Sequence, residues 1–422
     1  MLKKILSTFS AQFLSGILTL VIVVLTAREL GTDGRGVISL LILNISLVLM
    51  FSGFVGGGAL VYLTPRENFG RLLVAAYFWA IIAAISVSAT LTITGLSPEK
   101  FTLHLFCLSL INAFNGVNTN LLIGQERLHQ RNFSIFFQVL VQLIVFYGIL
   151  QQSGERSVYS YIQALYVAYL TSFVLSSFFL LKKKKRIVSQ SFGTVLKSLF
   201  SYGLYTQIGG FVQLLNFRFS YYMLEKYHGV SVLGVYSTGV SLIEALWIIS
   251  RSISLVLYSR ISNAQDDDYS RVLTIKLIKF AIVLTAFCLV PLLLIPTDIY
   301  IMIFDGESFA EIKLVFLYLG IGTVMFSASA MLSAYLSGTG QFKVNTKASL
   351  IGLTATIALG FWLIPDYEML GAGLTASVSY FITVSYQIHQ FCKITKTRLA
   401  EFFPKKGDLQ LVQQEIRSYI SI

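Results

Sequence analysis

The sequence predicts an all-α polytopic membrane protein of twelve transmembrane helices, in two six-helix bundles related by a parallel repeat around a central cleft. Three observations predict it. Of the 422 residues, 55% are hydrophobic and only 12% charged, against roughly 25% charged in soluble domains. The apolar residues fall into twelve stretches of bilayer-spanning length, where a span needs roughly 20 mostly apolar residues. Lys and Arg gather between every second pair of stretches.

The stretches lie at 5–27, 36–63, 72–95, 101–123, 134–151 and 158–181, then at 198–223, 232–259, 273–297, 313–337, 346–364 and 369–391. The first begins beside Lys3 and Lys4 and reaches about residue 26. It is longer than a signal-peptide core and lacks a small-residue cleavage site, so it reads as a retained helix. With the amino terminus inside, 24 Lys and Arg lie on the inner side, six on the outer side, and two, Arg218 and Arg251, within spans. Orientation follows that asymmetry and places both termini in the cytoplasm. The net charge of +12 therefore reports membrane topology, because the basic residues are scattered between apolar segments and form no nucleic-acid-binding face. Cys107, Cys288 and Cys392 show no paired or metal-ligand spacing.

A basic run at 182–186 sits mid-chain. The organisation expected is a first lobe at 1–181, a cytoplasmic linker at 182–197, a second lobe at 198–392 and a cytoplasmic tail at 393–422. The linker anchors the inner face and attracts anionic headgroups. The halves also repeat. Gly31, Gly36, Val37 and Ser39 recur as Gly229, Gly234, Val235 and Ser237, offset by 198 positions. Arg71 and Leu73 recur as Arg271 and Leu273, and the turn 124–132 has a counterpart at 338–345. Six spans per repeat make the duplication parallel, and two such bundles suit a transporter that exposes a cleft alternately to each surface.

Several segments are similar to a known family. They are Ala27-Arg28-Glu29-Leu30-Gly31-Thr32-Asp33-Gly34-Arg35-Gly36, Gly124-Gln125-Glu126-Arg127, Asn216-Phe217-Arg218, Leu233-Gly234-Val235-Tyr236-Ser237 and Leu257-Tyr258-Ser259-Arg260-Ile261-Ser262. In this order they resemble the Wzx-type polysaccharide flippases of the multidrug, oligosaccharidyl-lipid and polysaccharide exporter superfamily. The resemblance implies alternating-access movement of an isoprenoid-diphosphate-linked oligosaccharide (an O-antigen or capsule repeat unit) to the outer leaflet of a bacterial inner membrane. Polysaccharide polymerase and other assembly proteins would be partners. Such flippases often carry an acid shortly after the seventh-span arginine, but positions 219–222 here read Phe-Ser-Tyr-Tyr. The resemblance thus brings no coupling-ion residue to this chain. No cofactor is expected, and proton or sodium coupling stays open.

A charge within hydrocarbon costs at least roughly 2.5–3.5 kcal/mol at a helix centre, so Arg218, Glu244 and Arg251 each need a reason. One reading has Arg218 and Arg251 lining the cleft for a diphosphate or acidic sugars, with Glu244 balancing the charge, since arginine's fork suits phosphate. The other has them in a structural ion pair or snorkelling. Glu244, Trp247 or Ile248, and Arg251 are spaced to share a helix face. Arg28 would guard the outer mouth or snorkel. Asn112 and Asn115 on the polar fourth span, Gln138 and Gln142 on the fifth, and Gln207 on the seventh would bind sugar hydroxyls or one another's helices. Gly53, Gly56, Gly57 and Gly58 in the second span permit close packing or a bend.

Rival functions are a multidrug or other small-molecule exporter, which would want several buried carboxylates where the sequence supplies only Glu244, and a membrane polysaccharide polymerase or ligase, which would want a large outer loop. A lipid II flippase usually has fourteen spans. No nucleotide-binding, zinc or nucleophile-elbow motif is present.

Overall fold

The computed structural model describes residues 2–97, 99–153, 156–181, 192–263 and 266–403, and those residues contain helices and no strand. In hydrocarbon every backbone amide must be satisfied internally, which an apolar chain of this length achieves by helix formation. Three helices are far longer than a bilayer: Leu2–Gly56, Phe192–Ala245 and Phe342–Thr395, of 55, 54 and 54 residues. At 1.5 Å per residue each would run about 80 Å, more than twice the roughly 30 Å hydrocarbon core. Each is divided by one residue with non-helical backbone: Gly31 (φ 67°, ψ −172°), Gly229 (φ 86°, ψ 175°) and Glu368 (φ 48°, ψ −128°).

Every division makes two consecutive spans. With Phe69–Ile93, Thr102–Gly124, Leu128–Ser153, Val158–Leu181, Asp267–Leu294 and Ile312–Gly338, the described residues supply the twelve expected spans. The second continues beyond Gly57 as Gly58–Leu63, and the eighth resumes after Leu246 as Trp247–Asn263. Gly31 and Gly229 are the first glycines of the repeated pattern. The repeat read in the sequence is therefore a repeated turn between spans, built on a conformation that only glycine adopts without strain. Glu368 has no such freedom. Its carboxylate lies 3.5 Å from His228 Nδ1, and the Nε2 of that ring is 2.8 Å from the Ile364 carbonyl, so the third turn is tied to the one containing Gly229.

Two compact units result, Met1–Leu214 with Ile303–Gly306, and Leu215–Met302 with Glu307–Ile422. The expected linker 182–197 lies outside the described residues as far as 191, and residues 192–197 open the helix Phe192–Ala245. The division between units falls farther along that helix. Of the expected tail, residues 404–422 lie outside the described set.

In the first unit, the start of the seventh-span helix packs on the second span. A Cβ at Gly203 would collide with the Phe54 carbonyl, and one at Gly53 would come within 2.8 Å of Gln207 Cδ. Backbone thus meets backbone, as small residues allow in membranes. At the Gly57 break, the Gly56 carbonyl accepts from Asn120 Nδ2 at 2.8 Å, and one turn earlier the Phe51 carbonyl accepts from Trp79 Nε1 at 2.9 Å. These bonds satisfy carbonyls that lipid could not. The glycine-rich stretch provides both close packing and a bend.

In the second unit, the short turn Leu399–Phe402 folds back on the first turns of the helix Asp267–Leu294. Arg271 reaches Asp268 at 2.8 Å and Glu401 at 2.7 Å, and Phe402 packs against the buried Phe391.

Candidate functional site

The charged core of the second unit is built where the eighth span breaks. Ala245 ends one helix, Trp247 starts the next, and the axes on either side differ by 44°. Glu244 stands immediately before the break and is gripped by Arg218 of the seventh span. Nη1 donates to Oε1 and Nη2 to Oε2, both at 2.7 Å. This is the two-point geometry that makes arginine–carboxylate pairs strong. The side chains keep 25% and 20% of their surface exposed, so the pair sits in the packed unit without being sealed.

Trp247, on the other side of the break, is buried among Phe217, Phe326 and Tyr380. All six pairs among these four rings have centroids between 4.7 and 5.8 Å apart, within the range of favourable edge and offset contacts. One turn on, Arg251 is exposed, with its guanidinium 5.8 Å from the Trp247 ring centroid. Among the described residues no carboxylate lies within 4 Å of it.

Two of the expectations are sharpened here. Arg218 and Glu244 are brought together, and two of the guanidinium's donors are engaged by the acid. The shared helical face expected for Glu244, Trp247 and Arg251 is interrupted at Leu246, so these residues are arranged by the break and not by continuous helical periodicity.

Amides dominate the first unit. Asn115 donates to Gln138 Oε1 at 3.2 Å and accepts from Ser176 Oγ at 3.0 Å. Asn118 donates to Ser176 and Ser177 and accepts from Tyr77 OH at 2.6 Å. Asn112 reaches Tyr169, and Gln142 reaches Tyr161. Both ends of the Asn115 and Asn118 amides are thus engaged by neighbouring helices. Gln207 packs its amide against Gly53 and Gly57 of the second span. Arg28 is exposed three residues before the Gly31 turn, and its neighbour Glu29 pairs with Arg156 at 3.2 Å.

Sequence reasoning missed three features. Arg35, counted with the outer loop, is only 8% exposed and interacts with Tyr161. The four-ring cluster draws Phe217, Trp247, Phe326 and Tyr380 from four different spans, which share no local pattern. A polar seam joins the last spans: Asn216 Oδ1 accepts from Thr356 and Ser379, and Gln387 bonds Ser329, Ser333 and Asn345. The spacing of Ser379, Thr383 and Gln387, four residues apart on one helix face, was the available signal. No group of three or more His, Cys, Asp or Glu among the described residues could hold a metal.

Comparison with known proteins supplies the fold's relatives. The lipid II flippase MurJ, in an inward closed conformation, superposes with a TM-score of 0.73 at 16% identity, covering 98% of this chain and 97% of that one. An inward-facing multidrug resistance transporter of the MATE family gives a TM-score of 0.69 at 14% identity, covering 93% and 96%. The chain has the fold of the multidrug, oligosaccharidyl-lipid and polysaccharide exporter superfamily. Because the likeness to MurJ covers almost all of that protein, span count does not separate this chain from lipid II flippases. In sequence, the capsular polysaccharide biosynthesis protein CapF of Staphylococcus aureus is 29% identical over 168 residues, 39% of this chain. The chain spans less than half the length of the curated relatives it matches, 42% and 41%. No family model matches the sequence.

Proposed function

We propose that this superfamily-fold protein is a flippase that moves an isoprenoid-diphosphate-linked oligosaccharide from the cytoplasmic to the outer leaflet by alternating access, for assembly of a cell-surface polysaccharide. The observation that carries the reading is the charge balance of the eighth span. Glu244 is engaged by Arg218, while Arg251 is exposed and has no acidic partner within 4 Å among the described residues. A cation left in a membrane span is costly, and a diphosphate would repay that cost with charge-assisted hydrogen bonds. Likeness to a capsule biosynthesis protein and to a lipid II flippase points to the same cargo chemistry. Asn112 and Arg28 remain candidates for sugar and outer-mouth contacts; Asn115 and Gln207 would act by shaping the first unit.

Export of small cationic compounds is the second reading, favoured by the fold shared with multidrug transporters. It would need a carboxylate available in the membrane core, and Glu244 is already paired. The cell's inner membrane with both termini cytoplasmic is the location the basic-loop asymmetry supports, and a polysaccharide polymerase is the partner that would consume the flipped unit. Reconstituted vesicles carrying a polyprenyl-diphosphate oligosaccharide test the reading. Protein-dependent exposure of the lipid to an outside glycosidase is expected. Loss of a charged drug gradient with no lipid movement would replace this function with the second.

A further inference from the structure

Phe217 and Arg218 are consecutive on the seventh span, and they grip opposite sides of the break in the eighth. Arg218 holds Glu244, two residues before Leu246, by two 2.7 Å bonds. Phe217 packs against Trp247, the residue after Leu246, with centroids 5.2 Å apart. Phe326 and Tyr380 close the cluster around Trp247. A helix break frees backbone groups and leaves the direction of the following segment undetermined unless neighbours fix it. Arg251 is the first charged residue of that following segment, and its guanidinium lies over Trp247.

We infer that Arg218 and Glu244 are positioning residues: together with the Phe217–Trp247 contact they form a two-sided clamp that fixes the angle of the eighth span and so places Arg251. This rests on Arg251 being the group that meets the anionic cargo. The clamp assigns the two membrane arginines different work. Arg218 acts through Glu244, and Arg251 acts on the cargo. A charge-reversed pair would preserve the clamp, whereas a cargo-binding Arg218 could not be replaced by glutamate.

The test exchanges the pair and reads the place of residue 251 directly. In a background with Cys107, Cys288 and Cys392 replaced by Ala, Arg251→Cys is labelled with a charged methanethiosulfonate in proteoliposomes. The label is compared among the unaltered pair, Arg218→Glu, Glu244→Arg and the double exchange. The same pair variants with Arg251 intact are assayed for flipping of a polyprenyl-diphosphate oligosaccharide. Each single reversal is expected to change the labelling rate roughly tenfold and to abolish flipping, and the double exchange to restore both. If a single reversal does not fold, the double exchange decides alone.

A double exchange that folds and labels like the unaltered pair but does not flip would overturn the inference by making Arg218 a cargo contact. Unchanged labelling in a folded single reversal would overturn it too. Arg251→Ala protein that flips normally would instead defeat the cargo reading, whatever the labelling shows.

Discussion

A carboxylate that accepts two parallel bonds from one guanidinium is already charge-balanced, and this separates what each membrane arginine can do. Glu244→Gln is expected to leave Arg218 unneutralised at a cost of about 3–5 kcal/mol, visible as a lowered thermal unfolding temperature in detergent. Arg251→Ala, at an exposed position, should unfold within about 0.5 kcal/mol of the native protein while losing transport. Equal destabilisation by both changes would show that Arg251 is also part of the packed core. In the first unit, Asn118→Ala removes the amide that accepts from the Tyr77 hydroxyl and donates to Ser176 and Ser177 and should cost roughly 1–3 kcal/mol. A neutral result there would mean that water replaces the amide. The sequence exposed these residues because charges and amides stand out against an apolar background. It offered a structural ion pair among Arg218, Glu244 and Arg251 without saying which arginine holds the acid, since partners 26 positions apart on different spans share no local pattern.

Helices of more than 50 residues become pairs of spans through single positions, and those positions respond differently to substitution. Gly31 and Gly229 have open space where a Cβ would stand, so Gly31→Ala and Gly229→Ala act only through positive φ, at roughly 1–3 kcal/mol each. Gly203→Ala meets the Phe54 carbonyl and should be worse, because backbone cannot yield. Thermal unfolding that ranks Gly203→Ala as the mildest of the three would contradict this packing. The glycine pattern was legible because the left-handed turn demands that residue. Glu368 was not legible: a glutamate at φ 48° looks like any polar loop residue, and its neighbour His228 stands in another turn. The break at Leu246 carries no glycine or proline signal at all; tertiary contacts on both sides of it define it.

At the scale of the molecule, the run of apolar stretches was enough to give twelve spans, and the recurring glycine pattern a duplicated half. The Lys and Arg asymmetry predicts which loops face inward, because insertion responds to those counts. Fusion reporters placed after residues 66, 127, 185, 260 and 345 should all report the cytoplasm, and any one reporting the outside would break the topology. Cargo is harder to read, since a flexible glycan is recognised through amides and hydroxyls that also knit helices together. The most direct measurement is the sidedness of the lipid-linked repeat unit in cells lacking this protein. The account predicts that the intact unit accumulates on the cytoplasmic leaflet and that restoring the native protein, but not Arg251→Ala at equal abundance, clears it. Accumulation of single units on the outer leaflet, or no accumulation, would contradict it.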